Sequence, residues 1–198
     1  MKFLSTLFFL FAFSSLFGQN FIDDRLAAIH TSRIRALDVP MHMTSTSLYP
    51  SAVAIPFVFI AQGLYETDSA SLRRGMVAVA SIGCASIITL AMKYSIRRRR
   101  PYANSPTSFQ DLTRSNTINP NRSFPSGHSS VAFALATSTT LSLPKWYIAV
   151  PMFAWAGAVG YSRIHLGVHY PSDVLVGAAI GAGSAFLSHH LNRRFFRK

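Results

Sequence analysis

The chain is short of charge, and of acid above all. Of 198 residues only 7 are Asp or Glu and 19 are Lys or Arg, so charged residues make up 13%, where a soluble domain carries about a quarter. So few solvating groups count against an ordinary water-exposed domain. Cysteine is nearly absent: Cys84 stands alone inside an apolar run. A single thiol excludes an intrachain disulfide and any cysteine-built zinc site, and in that setting it reads as a small buried hydrophobe. The acid deficit leaves a formal charge of +12. That excess suits anionic partners. Nucleic acid is the weakest of them, because the basic residues sit beside apolar runs and not along a polar face.

Five stretches lack Asp, Glu, Lys and Arg altogether: Ala52–Tyr65, Met76–Met92, Val131–Leu143, Trp146–Tyr161 and Val174–Leu187. Each falls short of the ~20 residues that span a bilayer comfortably, and Ser and Gly flanks bring several near that length. The expected fold is all-α, an antiparallel helical bundle in a single domain. A transmembrane bundle is favoured over a soluble one, because five uncharged helices leave little polar surface. Ahead of them, Met1-Lys2 and the apolar run Phe3–Phe17 read as a signal peptide cleaved near residues 18–20, or as a retained signal anchor over residues 1–19. Residues 20–198 form the expected domain. Within it, Asp23–Leu37 reads as a short amphipathic helix with His30 on its surface. Placing the segment after the signal outside the cell puts Arg73, Arg74, Lys145, Arg193, Arg194, Arg197 and Lys198 in the cytoplasm, as positive-inside bias requires.

The same parity brings three polar stretches to the outer face. The first is Lys93 to Pro101. Lys93 and Arg100 are seven apart, nearly two helical turns, and Pro101 predicts a helix end near Arg100. Together they offer a point charge and a planar fork to a phosphoryl group. Arg97, Arg98 and Arg99 read as a juxtamembrane cluster for lipid headgroups. The second is Pro125-Ser126-Gly127-His128, a helix start whose backbone N–H groups suit an anion. There Gly127 permits close approach, the Ser126 hydroxyl is a further donor, and His128 is within reach as a general acid. The third is Ser162 to Asp173. In it Arg163 can clamp a phosphate, and Pro171 opens a helix with Asp173 in its first turn, where it can accept Nδ1–H of His169 and leave Nε2 to attack phosphorus. Metal binding by His165, His169 and Asp173 at helical spacing competes, but Gly167 and Pro171 break such a helix. His165 reads as a packing residue. The polar run Tyr102–Phe124 is long enough to suggest a pocket cover or a substrate selector.

Taken together, Lys93–x6–Arg100-Pro101, Pro125-Ser126-Gly127-His128 and Ser162-Arg163–x5–His169–x3–Asp173 closely resemble the three-part signature of the type 2 phosphatidic acid phosphatase (PAP2) family, in its membrane-bound bacterial branch. The resemblance covers Lys93 to Leu187. It implies a phosphate cradle of Lys93, Arg100, Ser126, Gly127 and Arg163, with His128 as the acid, His169 as the nucleophile that forms a phosphohistidine, and Asp173 as its orienter. It implies no metal or cofactor, a membrane location with the site facing the periplasm or exterior, and a lipid phosphate or diphosphate as substrate. Undecaprenyl diphosphate leads over phosphatidic acid, phosphatidylglycerophosphate and a lipid A phosphate. The alternatives are a soluble secreted acid phosphatase for small phosphomonoesters, a haloperoxidase, and a non-enzymatic binder of anionic lipid. The last leaves the His169–Asp173 spacing without a purpose.

Overall fold

The structure, a computed structural model, describes residues 34–104 and 119–196. The expected signal or anchor segment, His30, most of the expected amphipathic helix, the middle of the polar run, Arg197 and Lys198 lie outside the described residues. Among those described, the five uncharged stretches are all helical and no strand occurs. A short helix α1 (Asp38–Thr46) precedes α2 (Leu48–Tyr65), α3 (Ser69–Ile96), α4 (Gly127–Ser142), α5 (Trp146–His165) and α6 (Pro171–Phe196). Three spans, Arg35–Tyr65, Ser69–Ala103 and Pro171–Phe195, are long and apolar enough to cross a membrane. Their outward faces carry Val53, Phe57, Ile87, Leu90, Leu175 and Phe186, all exposed. In water such a surface is unfavourable, whereas lipid tails solvate it.

Helix α4 is the axis of the bundle, packed by α3, α5 and α6. Its residues Ala132, Ala134, Leu135 and Ala136 are fully buried. Ala132 and Ala136 meet Leu48 of α2 and Ala156 and Val159 of α5 in one apolar cluster. The tightest seam joins α4 to α6. A Cβ built at Gly177 would lie 2.5 Å from the Ser126 carbonyl oxygen, and one at Gly181 would lie 2.1 Å from that of Ser130. The spacing Gly-x-x-x-Gly thus lets two backbones touch, as at close helix crossings in membranes. Gly63 and Gly75 do the same for α2 and α3.

Asp68 caps α3 by accepting from the backbone N–H groups of Ala70 and Ser71 at 2.9 and 3.1 Å. The other end of α3 departs from expectation. The helix stops at Ile96, where Arg97 adopts a left-handed conformation with φ 49°, and Arg100 lies beyond it. Helical spacing therefore does not unite Lys93 with Arg100. A sharp turn of the chain does so instead.

Candidate active site

The three stretches meet at one end of the bundle. Lys93, in the last turn of α3, donates from Nζ to the carbonyl oxygens of Arg122 and Ser123 at 3.0 and 3.3 Å. Arg100 reaches the same Arg122 carbonyl through Nη2 at 3.0 Å, and donates to Asn119 through Nε and to Val168 through Nη1. The two cations are thus fixed by a shared loop carbonyl, and both side chains are largely removed from solvent. Arg163, near the end of α5, is buried and donates through Nη1 to Ser45 of α1, while its Nε has no hydrogen-bond partner in the protein. A buried guanidinium N–H without an acceptor is costly, and an anion is the group that satisfies it.

Ser126 opens α4, as its place before the helix predicts. Its hydroxyl accepts from the Ser129 N–H at 3.4 Å, so it caps α4, and its own N–H donates to the Asp173 carbonyl at 2.9 Å. The amides of Gly127 and His128 follow in the first turn of α4, where no intrahelical acceptor exists. A Cβ at Gly127 would sit 3.9 Å from Lys93 Cε and 3.8 Å from Thr89 Cγ2, in ordinary contact. Packing therefore does not demand glycine there, whereas an open approach to the amides does. His128 stands edge-on to the Tyr49 ring, 5.5 Å between centroids.

The backbone of the third stretch folds as expected, but the expected hydrogen bond from His169 Nδ1–H to Asp173 does not form, since Nδ1 has no hydrogen-bond partner within the protein. Helix α5 ends at His165, Gly167 turns the chain with φ 65°, and Pro171 opens α6 with Asp173 in its first turn. His169 is buried between these elements. Its Nε2 lies 3.3 Å from Arg100 Nη1 and its Nδ1 lies 3.5 Å from Asp173 Oδ2. Burial pulls its pKa down to about 3, against the opposing pull of Asp173, so the ring is neutral, and with a proton on Nδ1 the Nε2 lone pair faces the cations.

Asp173 is engaged through both of its carboxylate oxygens. Its Oδ2 also accepts from Ser123 Oγ at 2.5 Å and from Tyr170 N–H at 2.9 Å, and its Oδ1 accepts from Arg98 Nη1 at 2.7 Å. Arg98 further donates to Ser172 and lies 4.1 Å over the Tyr170 ring. Sequence reasoning left Arg98 in a lipid-facing cluster, and four successive arginines carried no local signal to single it out. Ser123 and Ser45 were missed for a similar reason, as single hydroxyls in polar runs. His165 packs as expected, and in addition pairs through Nε2 with Asp38 of α1 at 3.0 Å.

Between α2, α3 and α4 a groove of about 230 Å³ begins at Lys93, Gly127 and His128 and continues along Leu48, Leu90 and Val131. It joins the polar cluster to the apolar flank of the bundle.

Comparison with known proteins places the chain in a family and a fold. The chain is 38% identical over 112 residues to the decaprenylphosphoryl-5-phosphoribose phosphatase of Mycobacterium tuberculosis, covering 56% of each chain. It is 32% identical over 115 residues to the undecaprenyl-diphosphatase of Sulfolobus acidocaldarius, covering 58% of this chain and 53% of that one. It spans about half the length of these curated relatives. In fold it is similar to the first transmembrane PAP2-type phosphatidylglycerolphosphate phosphatase from Bacillus subtilis, with TM-score 0.71 and 25% identity over 98% of both chains. It is also similar to Aquifex aeolicus LpxE, with TM-score 0.62 and 26% identity over 84% of this chain and 93% of that one. The bundle is accordingly a transmembrane one. The PAP2 superfamily model matches residues 74–197, well over half of the sequence, and the chain belongs to that superfamily.

Proposed function

We propose that the chain is a phosphatase that hydrolyses a lipid phosphate or diphosphate through a phosphohistidine on His169. The observation that carries this reading is the His169 ring, held between Asp173 on one nitrogen and Arg100 on the other. A phosphoryl group bound by Lys93, Arg100, Arg163 and the Gly127 and His128 amides would present phosphorus to Nε2. Attack forms a P–N bond and breaks the P–O bond to the leaving group, while His128 gives that oxygen its proton. Water then attacks phosphorus, His128 takes a proton from it, the P–N bond breaks, and phosphate leaves. The cations stabilise charge on the equatorial oxygens, and no step draws on a metal or cofactor. Burial above all, and then Arg163, Arg100 and Lys93, disfavour a charged ring at His128. A phosphate dianion among the three cations would offset their field and so favour the protonated ring that the acid step needs.

The groove along Leu48, Leu90 and Val131 supports a lipid substrate, since a soluble phosphomonoester has no use for it. Two relatives are named for decaprenyl and undecaprenyl substrates, which favours a polyprenyl diphosphate or phosphate here. Arg73, Arg74, Lys145, Arg193 and Arg194 lie toward the far end of the bundle from the site, so positive-inside bias turns the site toward the periplasm or exterior.

The test is phosphate release by the purified protein in detergent, offered polyprenyl diphosphate, phosphatidic acid, phosphatidylglycerophosphate and a lipid A phosphate. Turnover of at least one is expected. Vanadate, which adopts the trigonal bipyramidal geometry of in-line transfer, should inhibit, and EDTA should not. Loss of activity in EDTA that zinc restores would overturn the mechanism. The His128→Ala variant should spare an activated aryl phosphate more than a lipid ester, because a good leaving group needs little protonation.

A further inference from the structure

A second cavity lies at the opposite end from the active site. It measures about 310 Å³ and is walled by the start of α3 and the ends of α4 and α6. Arg73, Arg74, Ser142, His189, Asn192 and Arg193 line it, and no carboxylate does among the described residues. Arg73 and Arg74 are half-buried, and each is held within the protein, Arg73 on Ser69 and Arg74 on Ser71 of the same helix. Asp68 lies within electrostatic range of Arg74, but its oxygens are engaged in capping α3. The cavity is therefore a donor-rich recess with net positive charge, built from three separate helices.

Its depth says what fills it. Arg73 and Lys93 sit on one helix twenty residues apart, roughly 30 Å along the axis, which is the thickness of a hydrocarbon core. With Lys93 at one membrane surface, Arg73 is at the other. Tyr65, Trp146 and Tyr147 are exposed at this same end, as side chains at a headgroup layer are. Farther along the same two helices, toward the bundle centre, Met76 and Leu187 are exposed and apolar. An occupant with a phosphate in the recess would rest its chains on that flank.

We propose that this cavity binds the phosphate headgroup of an anionic phospholipid, a second lipid site separated from the active site by the width of the membrane. The shared chemistry is a phosphate ester. Free phosphate offers the same oxygens without the chains, and the experiment separates the two.

The full-length protein in zwitterionic detergent would be titrated with phosphatidylglycerol, phosphatidylcholine and inorganic phosphate, with bound lipid counted by native mass spectrometry. Phosphatidylglycerol should be retained and phosphatidylcholine should not, and inorganic phosphate at equal concentration should fail to displace it. Affinity should fall about fivefold for Arg193→Gln and on the order of 100-fold when Arg73, Arg74 and Arg193 are all changed to Gln. Asn192→Asp, which adds a negative charge with little change in volume, should weaken binding as well, so the proposal stays testable if the triple variant misfolds. Arg163→Gln should leave this binding event in place. Full retention by Arg193→Gln and Asn192→Asp would overturn the proposal. So would loss of all retention in Arg163→Gln, which would assign the lipid to the active site. Displacement by inorganic phosphate would overturn the lipid as occupant.

Discussion

The two ends of the bundle are both rich in arginine, yet they hold it in opposite ways. At the site end Arg100 spends its donors on the carbonyls of Asn119, Arg122 and Val168, and Arg98 spends its own on Ser172 and the carboxylate of Asp173. At the far end Arg73 bonds a serine one turn back on its own helix, and Lys145 stacks over Tyr147. The first kind of cation is built into the fold before any ligand arrives. The second is held by local contacts along its own stretch of chain. A preorganised charge in a dry site is worth far more in a reaction than a solvated one, so position within the bundle, and not charge itself, separates chemistry from anchoring.

The largest effect expected is that of His169→Ala, which should lower turnover on the order of 10⁴-fold and abolish an acid-labile, base-stable phosphoprotein in quenched reactions. Label persisting on that variant would reassign the nucleophile. Next, Arg100→Lys keeps the charge but loses the fork, and should cost about 100-fold in kcat/KM. Lys145→Gln, at the other end, should leave turnover within about twofold. Equal losses in that pair would erase the distinction between the two ends. Arg98→Gln should act on stability, because it strips a 2.7 Å bond from the fully buried Asp173. A loss on the order of 3 kcal/mol is expected, read as a lower midpoint of thermal unfolding in detergent. Ser45→Ala frees one side of Arg163 and should raise KM about five- to tenfold with kcat little changed, the size of one hydrogen bond.

A further expectation concerns pH. The folded pKa of His169, about 3, lies below its ordinary 6.5, so the unfolded chain binds the extra proton first as pH falls. Its contribution to stability is therefore complete above about 6.5 and is lost as pH drops toward 3. The neutral nucleophile likewise persists to low pH, and the acid limb of kcat/KM should fall below pH 5 if His169 sets it. An acid limb at 6.5 in the parent that disappears in Asp173→Asn would contradict a ring held neutral by burial.

Much of this was legible in the sequence, for identifiable reasons. Uncharged runs give helices, and counting crossings puts Lys93, His128 and His169 on one face whatever the details of packing. Pro171 and Gly167 fixed where α5 and α6 break, so the placement of Asp173 followed. What could not be read was anything decided by a single backbone dihedral or by a contact far along the chain. The left-handed turn at Arg97 ends α3 early and sends Arg98, not its neighbours, to Asp173. Helix α1 supplies Ser45 to Arg163 and Asp38 to His165 across more than a hundred residues. Both contacts begin ahead of residues 74–197, where the superfamily match lies, so no motif within that region announces them.

Gly177 and Gly181 press α6 onto α4 until backbone meets backbone. Those two helices carry or adjoin His128, His169 and Asp173, so the proposed acid and nucleophile are mounted on a single stiff bracket. Of the groove's apolar walls Val131 stands on α4 as well, whereas Leu48, Tyr49 and Leu90, which in the proposed reading would meet the lipid tail, stand on α2 and α3. A descendant of this chain can therefore trade one tail for another by altering those walls, with the spacing between the two imidazoles left untouched.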